Sequence, residues 1–354
     1  MLKFMQFRSE NCLSYILSDS SSREAIVVDP SMDSMDGYRA YIGENDLRVI
    51  SAVDLQTHLG HYSATHLFKK EFPSSSIVMS VHTESARATV KLREGDPLVM
   101  GTLKFKILDI QGCAPDAIAF VGEGLILTGE TLLIGRTGET IYPGADTEVF
   151  YRSLKKLETL PGSTLVYPGQ DQTDLLCTSI QTEWLRNSEL KLSQSEFILK
   201  KSATLRFAFD DQSQSCRDFN LALDPNFSKV KRLPRNEARL QTPEGARASS
   251  ISVEKYDTKL KHHSTTTFDT AFIDVREPEE FAAGHIPGVE NIPLARVPFE
   301  FEKLSRFSRV YLSCLSGRRS DRAAATLCYM GLKDVVNVSG GYKAWVNQGL
   351  PIVK

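Results

Sequence analysis

No apolar stretch in this chain approaches the roughly 20 residues that a membrane-spanning helix needs. The composition therefore gives no reason to expect a membrane partner. Charge of one sign is also missing. Across 354 residues the formal net charge is −2, so nothing in the charge balance argues for nucleic acid or an anionic membrane surface. The six cysteines, at 12, 113, 177, 216, 314 and 328, include no C-x-x-C pair. Few, scattered thiols in a chain this long fit a reducing cytoplasm better than a disulfide framework. The opening residues, Met1 to Arg8, lack both an apolar core and a small-residue cleavage site, so no signal peptide is expected. The length itself predicts two or three domains, and no internal repeat is visible.

What is present is concentrated in one loop, Cys314-Leu315-Ser316-Gly317-Arg318-Arg319-Ser320. The apolar run Val310-Tyr311-Leu312-Ser313 before it reads as a buried strand. The run from Asp321 to Leu332 after it reads as a helix. A cysteine at a strand end, with its loop closing onto a helix N-terminus, faces several backbone N–H groups and the positive end of a helix dipole. Both favour thiolate over thiol, and the thiolate is the nucleophile. Arg318 and Arg319 add positive charge for an anionic substrate. Cys314 is the expected catalytic residue, and Leu315, Ser316, Gly317, Arg318, Arg319 and Ser320 form the expected substrate-binding loop. Cys328 shares a helical stripe with Ala324 and Leu327 and reads as core.

The loop resembles the C-x-x-G-x-R-S active-site loop of the rhodaneses, a family of sulfurtransferases. Three further segments resemble the family in the same order. They are Phe272 to Phe281, Gly284-His285-Ile286-Pro287-Gly288-Val289-Glu290-Asn291-Ile292-Pro293, and Val338-Ser339-Gly340-Gly341-Tyr342-Lys343-Ala344-Trp345. The resemblance implies a persulfide carried on Cys314, formed from thiosulfate or glutathione persulfide and passed to sulfite, glutathione or cyanide. Asp274, Arg276, Glu277 and His285 are expected to support the loop. Asp274 is expected to act as a hydrogen-bond acceptor rather than a base. Arg319 is expected to brace the loop against Asp274 and Glu277, with Arg318 turned outward to the donor.

Residues 1 to about 200 alternate short β-like runs with helical stretches, as in Ala25-Ile26-Val27-Val28-Asp29-Pro30 and the period-two run Leu103 to Leu108. The order of segments resembles the metallo-β-lactamase fold, and more narrowly its persulfide dioxygenase branch. The carriers are Ile26 to Pro30, Leu55-Gln56-Thr57-His58, Thr128 to Leu132, Tyr142 to Asp146, Leu165 to Asp171 and the helix beginning at Cys177-Thr178-Ser179-Ile180. The fold's T-H-x-H-x-D-H signature is broken. His58 keeps the first histidine, but Gly60, Tyr62 and Ser63 replace the next three donors. Downstream, Cys113, Glu130 and Gln170 stand where the fold has His, Asp and His. Too few donors remain for a two-metal site. In the persulfide dioxygenase branch one iron is held by two His and a carboxylate. The matching positions here are His58, Cys113 and Glu130, which leave a non-standard iron or zinc site as the alternative to no metal at all. His61, His66 and His82 are expected to be ordinary loop, helix and strand-end residues. His262 and His263 are expected to be exposed, and the basic cluster Lys229, Lys231, Arg232 and Arg235 to be solvated surface.

The expected architecture is α/β throughout. An αββα metallo-β-lactamase-like sandwich spans residues 1–245, with an extension from about 203. A polar linker follows at 246–266, then a rhodanese-like domain with a central parallel sheet at 267–354. The expected activity is cytoplasmic sulfur transfer through Cys314, with a metal-free first domain as scaffold or dock. The alternatives are a bifunctional dioxygenase–rhodanese and a non-enzymatic persulfide sensor or adaptor. A homodimer paired through the first domain is what the branch implies.

Overall fold

The computed structural model describes residues 1–204, 211–223, 242–266 and 269–354. The chain divides into two compact units. The first comprises Met1–Gln172 and Ser179–Arg239, the second Thr173–Thr178 and Leu240–Lys354.

The first unit contains two six-stranded sheets. One runs in chain order through β1 (Leu2–Ser9), β2 (Cys12–Asp19), β3 (Glu24–Val28), β4 (Arg48–Val53), β5 (Ser76–Ser80) and β6 (Val90–Leu92). It is antiparallel up to β3 and parallel from β3 onward. The other sheet contains β7 (Pro97–Met100), β8 (Leu103–Asp109), β9 (Ile118–Gly122), β10 (Leu125–Gly129), β11 (Leu165–Pro168) and β12 (Thr178–Ser179). Residue pattern matches position. In β8, Leu103, Phe105 and Ile107 are buried while Lys104 and Lys106 are exposed, as a sheet with one wet face requires. In β3, every residue after Glu24 is buried, which is why its sequence is an unbroken apolar run.

Helices cover both sheets: α1 (Met35–Glu44), α2 (Thr65–Glu71), α3 (Thr147–Glu158), α4 (Ile180–Arg186), α5 (Gln194–Thr204) and α6 (Asp211–Asn220). Tyr38 and Phe68 join Ile16, Val27 and Ala52 in one core cluster. Phe150, Leu154 and Phe197 join Ile126 and Val166 in another. This is the expected layered sandwich. The basic cluster at 229–235 lies outside the described residues.

The second unit is a parallel five-stranded sheet made of β13 (Ser249–Ile251), β14 (Thr270–Asp274), β15 (Glu290–Asn291), β16 (Arg309–Ser313) and β17 (Val335–Val338). Their spatial order is β13-β17-β16-β14-β15. The helices are α7 (Val253–Thr266), α8 (Pro278–Ala282), α9 (Phe301–Leu304), α10 (Arg318–Met330) and α11 (Gly341–Asn347).

The stretch expected to be a linker, 246–266, is instead part of this unit. β13 pairs with β17, and Val253 and Tyr256 enter the core with Leu260 packed behind them. The segment reads as a linker because its helix turns only a narrow i, i+3, i+7 stripe inward, while Glu254, Lys255, Thr258, Lys259, Lys261 and His262 are exposed. Tyr256 is fully buried, its ring 5.7 Å from Phe272, 5.8 Å from Tyr311 and 6.1 Å from Trp345. Tyr256→Ala is therefore expected to destabilise the second unit by about 3 kcal/mol, read by denaturant unfolding. An effect under about 0.5 kcal/mol would return the segment to linker status.

Candidate active site

The turn between β16 and α10 holds Cys314, which is 1 % exposed. Its sulfur accepts a hydrogen bond from the Gly317 backbone N–H at 3.1 Å, and the Ser320 hydroxyl lies 3.4 Å away. Burial alone would raise the thiol pKa. The Ser320 hydroxyl and the N–H groups of Ser320, Ser316 and Gly317 outweigh it and leave the pKa below the ordinary thiol value. Cys12, Cys113 and Cys328 go the other way. Burial is the leading cause in each, and Cys113 is pushed up to about 12. Among these thiols, Cys314 alone is poised as a nucleophile.

Three supports fix the turn. First, the Tyr342 N–H donates to the Cys314 carbonyl at 2.7 Å and the Lys343 N–H to the Leu315 carbonyl at 2.9 Å. This approach depends on Gly341, at φ +53°, where a Cβ would stand 2.1 Å from the Cys314 oxygen. Second, Asn337 on β17 accepts from the Ser320 hydroxyl at 2.7 Å, holding that hydroxyl beside the sulfur. Third, Arg319 makes a two-pronged pair with Glu280 at 2.6 and 2.8 Å. The sequence pointed to Asp274 and Glu277 as the partners of Arg319. The structure gives that part to Glu280, because Asp274 is taken by Arg276 (Nη2 to Oδ2, 2.7 Å) and Glu277 caps α8.

Asp274 is buried and accepts from the Arg276 backbone and guanidinium. Arg276 also donates to the Glu280 and Gly284 carbonyls and stacks 4.1 Å from the Tyr342 ring centroid. His285 stacks on Phe281 at 3.8 Å. Leu315, Ser316 and Arg318 are exposed at the mouth, while Gly317 and Ser320 are buried. Glu280 and Asn337 were not singled out from sequence. Glu280 sat within the acidic turn, where three glutamates in four residues hid which one would pair.

The first unit carries a second polar cluster, centred on the retained His58. Its Nε2 lies 3.1 Å from Asp29 Oδ1 and 3.7 Å from Asp54 Oδ1, and its Nδ1 lies 3.8 Å from Glu130 Oε1. Burial works against a charged His58, but Asp29, Glu130 and Asp54 together hold its pKa above the usual value. Burial pushes Asp54 up to about 6. His61, expected to be an ordinary loop residue, is buried with its ring centroid 4.2 Å from that of His58. His82 is exposed, 3.5 Å from Asp109. Position 60, where the fold has a histidine, is bordered by Gln170 and Cys12.

The family-type iron triad does not fit these residues. Among the described residues, the single group of three ligand-type side chains whose donor atoms lie within 4.8 Å of one another is Asp29, Asp54 and His58. Cys113 is not in it. Its sulfur sits 3.2 Å from the Thr131 hydroxyl, and Glu130 Oε2 accepts from the Tyr142 hydroxyl at 2.9 Å. The donors at 58, 113 and 130 do not converge on one point.

Comparison with known proteins accounts for both units. Residues 255–348 match the rhodanese-like domain family. The sulfurtransferase of Allochromatium vinosum is 36% identical over 94 residues, 27% of this chain and 88% of that protein. The mitochondrial persulfide dioxygenase ETHE1 of Mus musculus is 30% identical over 196 residues, 54% of this chain and 77% of that protein. The crystal structure of ETHE1 from Myxococcus xanthus superposes with a TM-score of 0.60 at 28% identity, over 62% of this chain and 99% of that one. With the αββα sandwich already in view, these relationships establish that the chain belongs to the persulfide dioxygenase family and joins to it a C-terminal rhodanese domain.

Proposed function

We propose that the protein is a sulfurtransferase that carries sulfane sulfur on Cys314, with a first unit that acts as scaffold or dock rather than as an iron dioxygenase. The observation that carries this reading is the Cys314 sulfur held by loop N–H groups with its pKa lowered, while Cys12, Cys113 and Cys328 are raised. The two family relationships support a role in sulfur metabolism. The lack of convergence at His58, Cys113 and Glu130 argues against the bifunctional alternative.

The chemistry is a double displacement. The Cys314 thiolate attacks the outer sulfur of thiosulfate. A new S–S bond forms, the old one breaks, and sulfite leaves with the electron pair. The loop N–H groups, positioned at the N-terminus of α10, hold the negative charge as it shifts. A thiolate, sulfite or cyanide acceptor then attacks the outer sulfur of the Cys314 persulfide. The S–S bond breaks, and the pair returns to Cys314 as thiolate. Glutathione persulfide serves as donor in the same way, with glutathione as the leaving thiolate. This is ping-pong chemistry. Arg318, exposed beside the mouth, attracts the anionic donor.

Steady-state kinetics with thiosulfate and cyanide test the reading, and parallel double-reciprocal lines are expected. The pH profile gives a further check. The thiolate is the reactive form, so the rate should climb to its plateau below the ordinary thiol pKa of about 8.5. Ser320→Ala removes a hydrogen bond to the thiolate and should move the profile to higher pH. An unmoved profile would remove Ser320 from the account.

A further inference from the structure

We infer that Asp29, Asp54 and His58 form a divalent-cation site in the first unit, built at the Nε2 of His58 while Glu130 faces its Nδ1. This goes beyond the sulfur-transfer reading and does not depend on it. One donor atom from each residue lies within 4.8 Å of the others, and all three residues are buried. Bonds of about 2.0–2.2 Å to one ion would set such donors up to about 4.4 Å apart, so a small side-chain adjustment closes the shell. One imidazole with two carboxylates suits zinc, manganese, cobalt or ferrous iron rather than a thiophilic metal.

Charge points the same way. His58 can supply one positive charge, yet Asp29, Asp54 and Glu130 all face it at 3.1 to 3.8 Å. Arg87 also acts on Asp54. Buried carboxylates in excess of their cations are costly, and a divalent ion removes the excess.

The carboxylates are already oriented. Asp29 Oδ1 accepts from the Leu55 N–H at 2.7 Å. Asp54 accepts from the Ser63 hydroxyl at 2.8 and 2.9 Å and from the Thr65 hydroxyl at 3.2 Å. Such outer partners fix ligand geometry.

An independent observation identifies the same place. Neither ring nitrogen of His61, a residue 5 % exposed with its ring stacked against His58, has a hydrogen-bond partner among the described residues. The same is true of Asp29 Oδ2 and His58 Nδ1. Folded proteins seldom leave several buried polar atoms unmet at one spot. His61 stands beside the three donors rather than among them. The site exchanges partners around the one histidine that the broken signature retains.

Cobalt binding to the metal-free, untagged full chain tests the inference. One equivalent of Co²⁺ should bind, with visible d–d bands and no thiolate-to-cobalt charge-transfer band. Asp54→Asn, which keeps the acceptor oxygen for Ser63, and Asp29→Asn should each weaken binding at least about tenfold. Cys113→Ser should leave binding unchanged, and the far-ultraviolet circular dichroism of every variant should match wild type. No binding by wild type would overturn the inference. So would a charge-transfer band lost in Cys113→Ser, which would put the ion at the family's own position. Unchanged binding in both aspartate variants would overturn it as well.

Discussion

Cys314→Ser is expected to lower sulfur transfer from thiosulfate at least about a thousandfold, because the step needs a nucleophile that forms and then releases an S–S bond. A serine alkoxide is inaccessible near neutral pH and cannot carry sulfur in this way. The variant should fold normally, since Ser is smaller than Cys and the same loop N–H groups can satisfy its oxygen. Cys113→Ser is expected to leave the rate within about twofold, because the Cys113 thiol is buried, raised to about 12 and engaged with Thr131. The pair of variants separates the two cysteines that the chemistry of this chain singles out. Transfer that survives Cys314→Ser would mean that another thiol is the carrier.

Gly341→Ala is expected to have the next largest effect, although residue 341 touches no substrate. Its Cβ would enter a space 2.1 Å from the Cys314 carbonyl oxygen and 2.9 Å from the Leu315 carbonyl carbon, on a backbone at φ +53°. Neither clash involves a flexible side-chain tip, so the turn itself must move. The Tyr342 and Lys343 N–H groups then lose their hold on the Cys314 and Leu315 carbonyls. A displacement of about 1 Å at a reacting group costs on the order of a hundredfold, and kcat/KM with thiosulfate should fall by about that amount. Melting temperature should fall as well, because an L side chain is strained at this φ. A wild-type kcat/KM would mean that the turn is not held from α11.

Much of the Cys314 site was legible before the structure because its parts are local in sequence. A strand, a cysteine, a glycine and a helix start within eleven residues, and that order alone sets the nucleophile at a helix N-terminus. Arg319 shows where local reading ends. Its expected partners were Asp274 and Glu277, and its actual partner is Glu280 in the same acidic turn. Glu277 and Glu280 are the two halves of the α8 capping box, and it is the Glu280 carboxylate that also reaches Arg319. Asn337 was hidden for a similar reason. It lies on β17, and its contact with Ser320 arises from strand order.

The first unit was legible as a fold and less so as a site. Apolar runs such as Ala25 to Val28 survive in a chain that has changed its metal donors, because burial of the sheet does not depend on them. The polar cluster was harder. Asp29, the Asp54–His58 stretch and Glu130 come from three separated segments, and their meeting is a property of the layered sandwich. Asp54 did leave a trace, as a charged residue inside the apolar run Ala52-Val53-Asp54-Leu55. The linker expectation failed on composition. A helix whose apolar contribution to the core, among the described residues, is Val253, Tyr256 and part of Leu260 has the residue content of a solvated spacer.

The central claim, that sulfur travels on Cys314, is tested most directly by mass spectrometry of the intact full chain after thiosulfate treatment, followed by peptide mapping. The account predicts a gain of one sulfur atom, located on Cys314 and removed by cyanide with formation of thiocyanate. Turnover of thiosulfate with Cys314 left unmodified, or with the added sulfur on another cysteine, would contradict it.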